Sequence, residues 1–229
     1  MPKIHAEKIA PDLFYNDYYS SYLEKDAWQI IKENNRAAFK TFVKLLAGQV
    51  GQAVNLNSFA RELGVSSTTL ASWLNVLESI NVIFRLPCYF NNFGKRLVKS
   101  PKIYFTEVGF AAYLLGIENA KQVDSHPLLD VLFENMVVME AVKAYYNLGK
   151  EPALYYLKDN HGFEVFILHE NSIQLIEIKT ARTYDFSLAK NIRKISEKTN
   201  EIKSASVIYA GESLMADGIE FRNFKATSL

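Results

Sequence analysis

The stretch Ile173-Gln174-Leu175-Ile176-Glu177-Ile178-Lys179-Thr180 decides the fold of the second half of this chain. Its branched aliphatic residues, uninterrupted by glycine or proline, read as a strand. Successive side chains of a strand point to opposite faces, so a spacing of two puts Glu177 and Lys179 on one face. Ile176 and Ile178 then point to the other face, expected to be buried. Residues 128–148 read as a long amphipathic helix upstream, followed by strand candidates at residues 153–157 and 163–168. Downstream, residues 185–198 read as a helix with Leu188, Ile192 and Ile195 on one face. Residues 205–209 and 219–224 close the chain as strands. The order helix, three strands, helix, strand predicts an α/β domain whose mixed sheet is flanked by helices.

The first half reads as helices, at residues 15–32 and 36–46. The decisive part is Asn57-Ser58-Phe59-Ala60-Arg61-Glu62-Leu63-Gly64-Val65-Ser66-Ser67-Thr68-Thr69-Leu70-Ala71-Ser72-Trp73-Leu74. A short helix carries Phe59, Ala60 and Leu63 inward. Gly64 suits the left-handed position that ends a helix. Ser66 or Ser67 can cap the next helix, whose buried stripe is Leu70, Trp73, Leu74 and Leu77. This is a helix-turn-helix pattern. Residues 82–87, 97–98 and 103–105 read as strands around a turn-rich tip, as in a wing. Arg85, Lys95, Arg96, Lys99 and Lys102 lie there with no acid among them. A polar stretch, Glu118 to Pro127, marks the expected boundary. The division is a helical winged-helix-like domain over residues 1–120 and an α/β domain over 121–229, mixed α+β overall.

Composition narrows the classes. With 229 residues the chain can bury one sizeable core or two small ones. A net charge of +1 advertises no nucleic-acid partner by itself, so that case rests on local clustering. The single cysteine, Cys88, excludes an internal disulfide framework and a multi-cysteine zinc site. No apolar run approaches the roughly 18–20 residues of a spanning helix. The reading is a soluble, cytoplasmic protein without a membrane partner. His5, His126, His161 and His169 show no metal-ligand spacing.

Glu177 and Lys179 also suggest chemistry. Phosphodiester hydrolysis uses a divalent ion to polarise phosphate and activate water. Magnesium takes hard oxygen ligands, usually a few carboxylates and waters. A lysine two positions from one such carboxylate can orient the water and stabilise developing charge. Glu134, inside the helix, could join as an auxiliary ligand. The three-residue pattern alone recurs by chance, and a solvated strand face is its plain alternative.

The chain resembles the C-terminal region of a group of prokaryotic AAA+ ATPases, from about Tyr15 to Gly211. The resemblance is densest in Leu86-Pro87-Cys88-Tyr89-Phe90-Asn91-Asn92-Phe93-Gly94-Lys95-Arg96, in Leu132-Phe133-Glu134-Asn135 and in Ile176-Glu177-Ile178-Lys179. It implies a winged-helix unit followed by a PD-(D/E)XK nuclease-like domain. Three departures from that family stand out. No P-loop sequence is present, which leaves a stand-alone version, a truncated product and a fragment all open. Family members usually read Glu-Val-Asp-Phe where this chain reads Glu164-Val165-Phe166-Ile167. Either Phe166 replaces the metal-binding aspartate, or one residue is deleted and the strand is shifted so that faces exchange. Finally, the recognition-helix candidate carries no lysine or arginine.

The expected function is therefore a nucleic-acid-binding or assembly module with a degenerate nuclease-like site. Contacts to DNA would come from Arg85, Lys95, Arg96, Lys99 and Lys102, together with Ser67, Thr68, Thr69 and Ser72. DNA and a P-loop ATPase module or subunit are the partners this implies. The enzymatic alternative is a nuclease using Mg2+ or Mn2+ on Glu134, Glu164 and Glu177 with Lys179. A third reading is a docking module for an ATPase partner.

Overall fold

The computed structural model describes residue 6 and residues 9–89, 100–158, 164–169, 172–197 and 201–226. The fold is mixed α+β, with a two-stranded sheet and a six-stranded mixed sheet. The chain forms two compact units. Unit 1 comprises Met1–Arg85 and Lys102–Asn135; unit 2 comprises Leu86–Pro101 and Met136–Leu229. The chain thus enters unit 2 once, between residues 86 and 101, before the main crossing after Asn135.

Unit 1 opens with α1 (Pro11–Asp17), a π-helical segment (Tyr18–Leu23) and α2 (Glu24–Trp28). Then come α3 (Arg36–Ala47), α4 (Leu56–Leu63) and α5 (Ser67–Ser79). Local sequence sets these ends. The Asn55 side chain accepts from the Asn57 and Ser58 N–H groups, capping α4. Gly64, with φ of 67°, terminates that helix, a conformation costly for any residue with a Cβ. Ser66 Oγ accepts from Thr69 N–H at 3.0 Å and starts α5. Phe39, Phe42, Val43 and Leu46 of α3 pack with Leu70, Trp73 and Leu77 of α5 in one buried cluster. Strands β1 (Ile83–Leu86) and β2 (Lys102–Phe105) follow, then α6 (Val108–Leu114) and α7 (Ala120–Asp124). Gly109 is required by close approach, because a Cβ there would sit 2.2 Å from the Tyr15 hydroxyl.

Helix α8 (Leu129–Asn147) gives its start to unit 1 and its remainder to unit 2. Its Asn135 is wholly buried. The side chain accepts from Phe105 N–H and donates to Phe105 C=O, both at 2.8 Å. It completes the backbone pairing that β2 would otherwise lack there.

In unit 2 the strands are β3 (Leu154–Lys158), β4 (Glu164–His169), β5 (Ile173–Ile178), β6 (Ile202–Tyr209), β7 (Leu214–Ala216) and β8 (Ile219–Asn223). Their order is β3-β4-β5-β6-β8-β7. The first three form an antiparallel meander, and β6 runs parallel to β5 and β8. A 3-10 turn (Phe186–Ala189) and α9 (Lys190–Ser196) make the crossover from β5 to β6. The outer edge of β3 is paired in turn: Tyr156 N–H donates to Pro87 C=O, and Tyr89 N–H donates to Tyr156 C=O. Residues 87–89, read from sequence as the start of a wing, thus extend this sheet. β7 was not expected from sequence. It pairs with β8 through an Asp217-Gly218 turn in which both residues have positive φ.

Asn135→Ala would leave a buried N–H and a buried C=O unpaired. It is expected to lower unit 1 stability by about 2–4 kcal/mol. Both tryptophans, Trp28 and Trp73, lie in unit 1, so denaturant unfolding followed by tryptophan fluorescence reports it selectively. Unchanged stability would show that these two bonds do not hold the unit together.

Candidate functional site

Glu177 lies on the sheet face that α9 covers. Ile173 and Leu175 on the same face of β5 join Ala189, Ile192 and Ile195 in the core of unit 2. Glu177 is only 3% exposed, so the solvated strand face is excluded. Three donors surround its carboxylate. Asn191 Nδ2 donates at 3.0 Å and Ile192 N–H at 3.4 Å. The ammonium of Lys179, whose side chain is 37% exposed, lies 3.1 Å away. Asn191 Nδ2 also donates to Glu164 C=O at 3.1 Å, which ties α9 to both strands. Asn191 was missed in the sequence, where nothing distinguishes it from other polar helix residues.

The register of β4 decides what stands beside Glu177. Phe166 lies opposite Ile176, and Ile167 opposite Leu175. Residues opposite each other in an antiparallel pair share a face. Val165 and Ile167 therefore face α9 with Glu177, and both belong to that core. Glu164 and Phe166 point to the other face. Glu164 pairs with Lys158 at 3.0 Å, its neighbour across β3. Phe166 is buried there with Tyr156 and Ile176. The aromatic ring does not fill a pocket next to Glu177, and Glu164 does not stand in for the missing aspartate.

The residues present do not fit the divalent ion of the expected site. Among the described residues no group of three His, Cys, Asp or Glu side chains could hold a metal. Glu177 is surrounded by hydrogen-bond donors, the Lys179 ammonium among them, which complete a carboxylate without a metal ion. Glu134, the auxiliary candidate, belongs to unit 1. Its Oε1 accepts from Lys102 Nζ at 2.9 Å and Tyr104 O–H at 2.7 Å. Gly51, with φ of 70°, makes room for it: a Cβ there would lie 3.0 Å from that oxygen.

The basic residues of the expected wing divide into two groups. Lys102 is buried, 3% exposed, with its charge on Glu134 rather than at the surface. Arg85 Nε donates to Glu78 of α5 at 2.8 Å. Lys95, Arg96 and Lys99 lie outside the described residues. On α5, Thr68 and Ser72 are exposed, and Ser67 and Thr69 half-buried. Thr68, Thr69 and Ser72 line a pocket of about 340 Å3 with Ser66, Lys32 and Asn35. Lys32 supplies this surface with a cation that α5 itself lacks. It precedes α3 in sequence and is brought to α5 by the fold.

Burial raises the Glu177 carboxyl above its ordinary value; Lys179 and the Ile192 and Asn191 hydrogen bonds offset this in part. A raised folded value means that the fold favours the protonated form. Its contribution is therefore full below the unfolded value of about 4.3 and is lost as pH rises through the folded value. In thermal melts of wild type and Glu177→Gln, the wild type should lose stability relative to the variant as pH rises above about 4.3. A difference that is flat, or that runs the other way, would contradict this assignment.

Comparison with known proteins places the chain among relatives. Residues 1–121 match the family of a domain of unknown function, DUF8612, and residues 130–226 match a second domain of unknown function, DUF4143. An uncharacterized protein of Mycobacterium bovis and one of Mycobacterium tuberculosis are each 29% identical to the chain over 195 residues. Each match covers 85% of this chain and 43% of the relative. The chain thus spans under half the length of the curated relatives it matches. No solved structure matches it. With residues 1–121 matched, the chain belongs to the DUF8612 family, and residues 130–226 behind it are similar to DUF4143.

Proposed function

We propose that this chain is a nucleic-acid-binding or assembly module of a larger ATPase-like protein, in which a PD-(D/E)XK-like domain binds rather than cleaves. One observation carries the non-cleaving part: Val165, not a carboxylate, shares the β5–β4 face with Glu177, whose oxygens are taken by Asn191, Ile192 N–H and Lys179. The helix, three-strand meander, crossover helix and parallel strand of unit 2 support the nuclease-like ancestry.

Support for binding comes from one surface and one stretch of sequence in the winged-helix reading. One is the hydroxyl-bearing face of α5 with its pocket at Lys32 and Asn35. The other is the basic run Lys95, Arg96 and Lys99. Hydroxyls and amides position a phosphate backbone, and cations supply the affinity. The length of the relatives favours the assembly part, since this chain corresponds to only 43% of each. A P-loop ATPase module or subunit is the proposed neighbour, and a cytoplasmic setting is proposed with it. Among the described residues no helix is long and apolar enough to cross a membrane.

Duplex DNA binding measured at low and moderate salt should be detectable and salt-sensitive. Replacing Lys95, Arg96 and Lys99 by alanine should flatten the slope of log affinity against log salt by up to about 2.7. Plasmid DNA incubated with Mg2+ or Mn2+ should stay intact. No affinity at low salt, or affinity untouched by the triple variant, contradicts the binding role. Metal-dependent cleavage that disappears in Glu177→Ala and Lys179→Ala contradicts the non-cleaving one.

A further inference from the structure

The segment after β5, residues 179–186, leaves the sheet at the carboxyl ends of the parallel strands β5 and β6, where α/β sheets commonly place ligands. It reads Lys179-Thr180-Ala181-Arg182-Thr183-Tyr184-Asp185-Phe186. Two large rings stand in solvent there: Tyr184 is 40% exposed and Phe186 is 59% exposed. Neither is loose. The Tyr184 ring meets the edge or face of Phe221 at 4.9 Å, in a T-shaped contact with a wholly buried residue. The Arg193 guanidinium lies 3.4 Å from the Phe186 ring centroid. Each ring is thus held from one side and open on another.

Cations lie along the same segment and at its end. Arg182 and Lys190 are exposed, and the Lys179 side chain is 37% exposed beside Glu177. Arg193 is shared between Phe186 and Asp217. The one acid within the segment, Asp185, is turned inward on the chain, accepting from Ser187 N–H at 2.8 Å and from the Ser187 hydroxyl. Large exposed apolar side chains mark a contact surface, and rings already fixed in place lose little freedom when something stacks on them. Aromatic faces interleaved with cations match unpaired bases and a phosphate backbone.

We propose that residues 179–186, together with Lys190, form a platform for single-stranded nucleic acid, with Tyr184 and Phe186 stacking on bases and Arg182 and Lys190 meeting phosphates. The surface belongs to unit 2 and shares no residue with α5 or with Lys95, Arg96 and Lys99. It stands apart from the duplex-binding reading above.

The test uses the full chain and a fluorescently labelled dT12 oligonucleotide, with fold checked by circular dichroism. Phe186→Ala should weaken dT12 binding at least about tenfold, and Phe186→Tyr should restore it. Arg182→Ala with Lys190→Ala should reduce the salt slope by about 1.4. The Lys95, Arg96 and Lys99 triple variant should keep its dT12 binding even where duplex binding is lost. The proposal is overturned by absence of dT12 binding at low salt, by equal affinity of folded Phe186→Ala, or by loss of dT12 binding in the triple variant alone. Should duplex binding fail while dT12 binding follows the Phe186 variants, the platform stands and the duplex reading falls.

Discussion

The pairing of β4 with β5, with Phe166 opposite Ile176, governs what the second unit can do. A strand has only two faces, and a one-residue change of register exchanges them. In the observed register Val165 is the neighbour of Glu177 and completes an apolar core against α9. Burial then demands that the Glu177 carboxylate be satisfied locally, since an unpaired charge at 3% exposure is costly. Asn191, Ile192 N–H and Lys179 meet that demand. The same Asn191 amide reaches Glu164 C=O, so the bond that satisfies the carboxylate also fixes the helix across two strands. Glu177 and Lys179 are thereby bound into the packing of α9 on the sheet.

Unit 1 follows the same logic with different groups. Leu132-Phe133-Glu134-Asn135 carries two polar residues in the middle of a helix that is otherwise apolar on its buried side. Each is explained by β2. Asn135 completes the backbone pairing of Phe105, and Glu134 receives Lys102 and Tyr104. Gly51 supplies the space beside Glu134. Residues that look like candidate ligands in a linear reading are here the means by which α8 is joined to the strand before it.

Most strands, the succession of elements along the chain and the turn between α4 and α5 were legible because period-two and helical patterns, Gly64 and Ser66 each leave a local mark. The strand at residues 214–216 also left one, the Asp217-Gly218 turn, and it was overlooked. The face of Phe166 was not legible. Substitution and deletion predict different faces for the same letters, and only the partner strand distinguishes them. Lys102 illustrates the other limit: among neighbours without an acid it reads as a surface cation, while its partner, Glu134, lies 32 positions away. The three donors of Glu177 likewise come partly from a helix after the strand, with no pattern linking them to it. The exposure of Tyr184 and Phe186 required the sheet to be built first.

The Glu177 carboxylate is engaged by Asn191, Ile192 N–H and Lys179, and no second carboxylate stands beside it on the α9 face. Calorimetric titration of the protein with Mn2+ decides whether this arrangement holds a divalent ion. No stoichiometric binding is expected, with wild type and Glu177→Ala giving the same weak, unsaturable heats. One Mn2+ bound per chain, with that binding abolished in a folded Glu177→Ala, would contradict it.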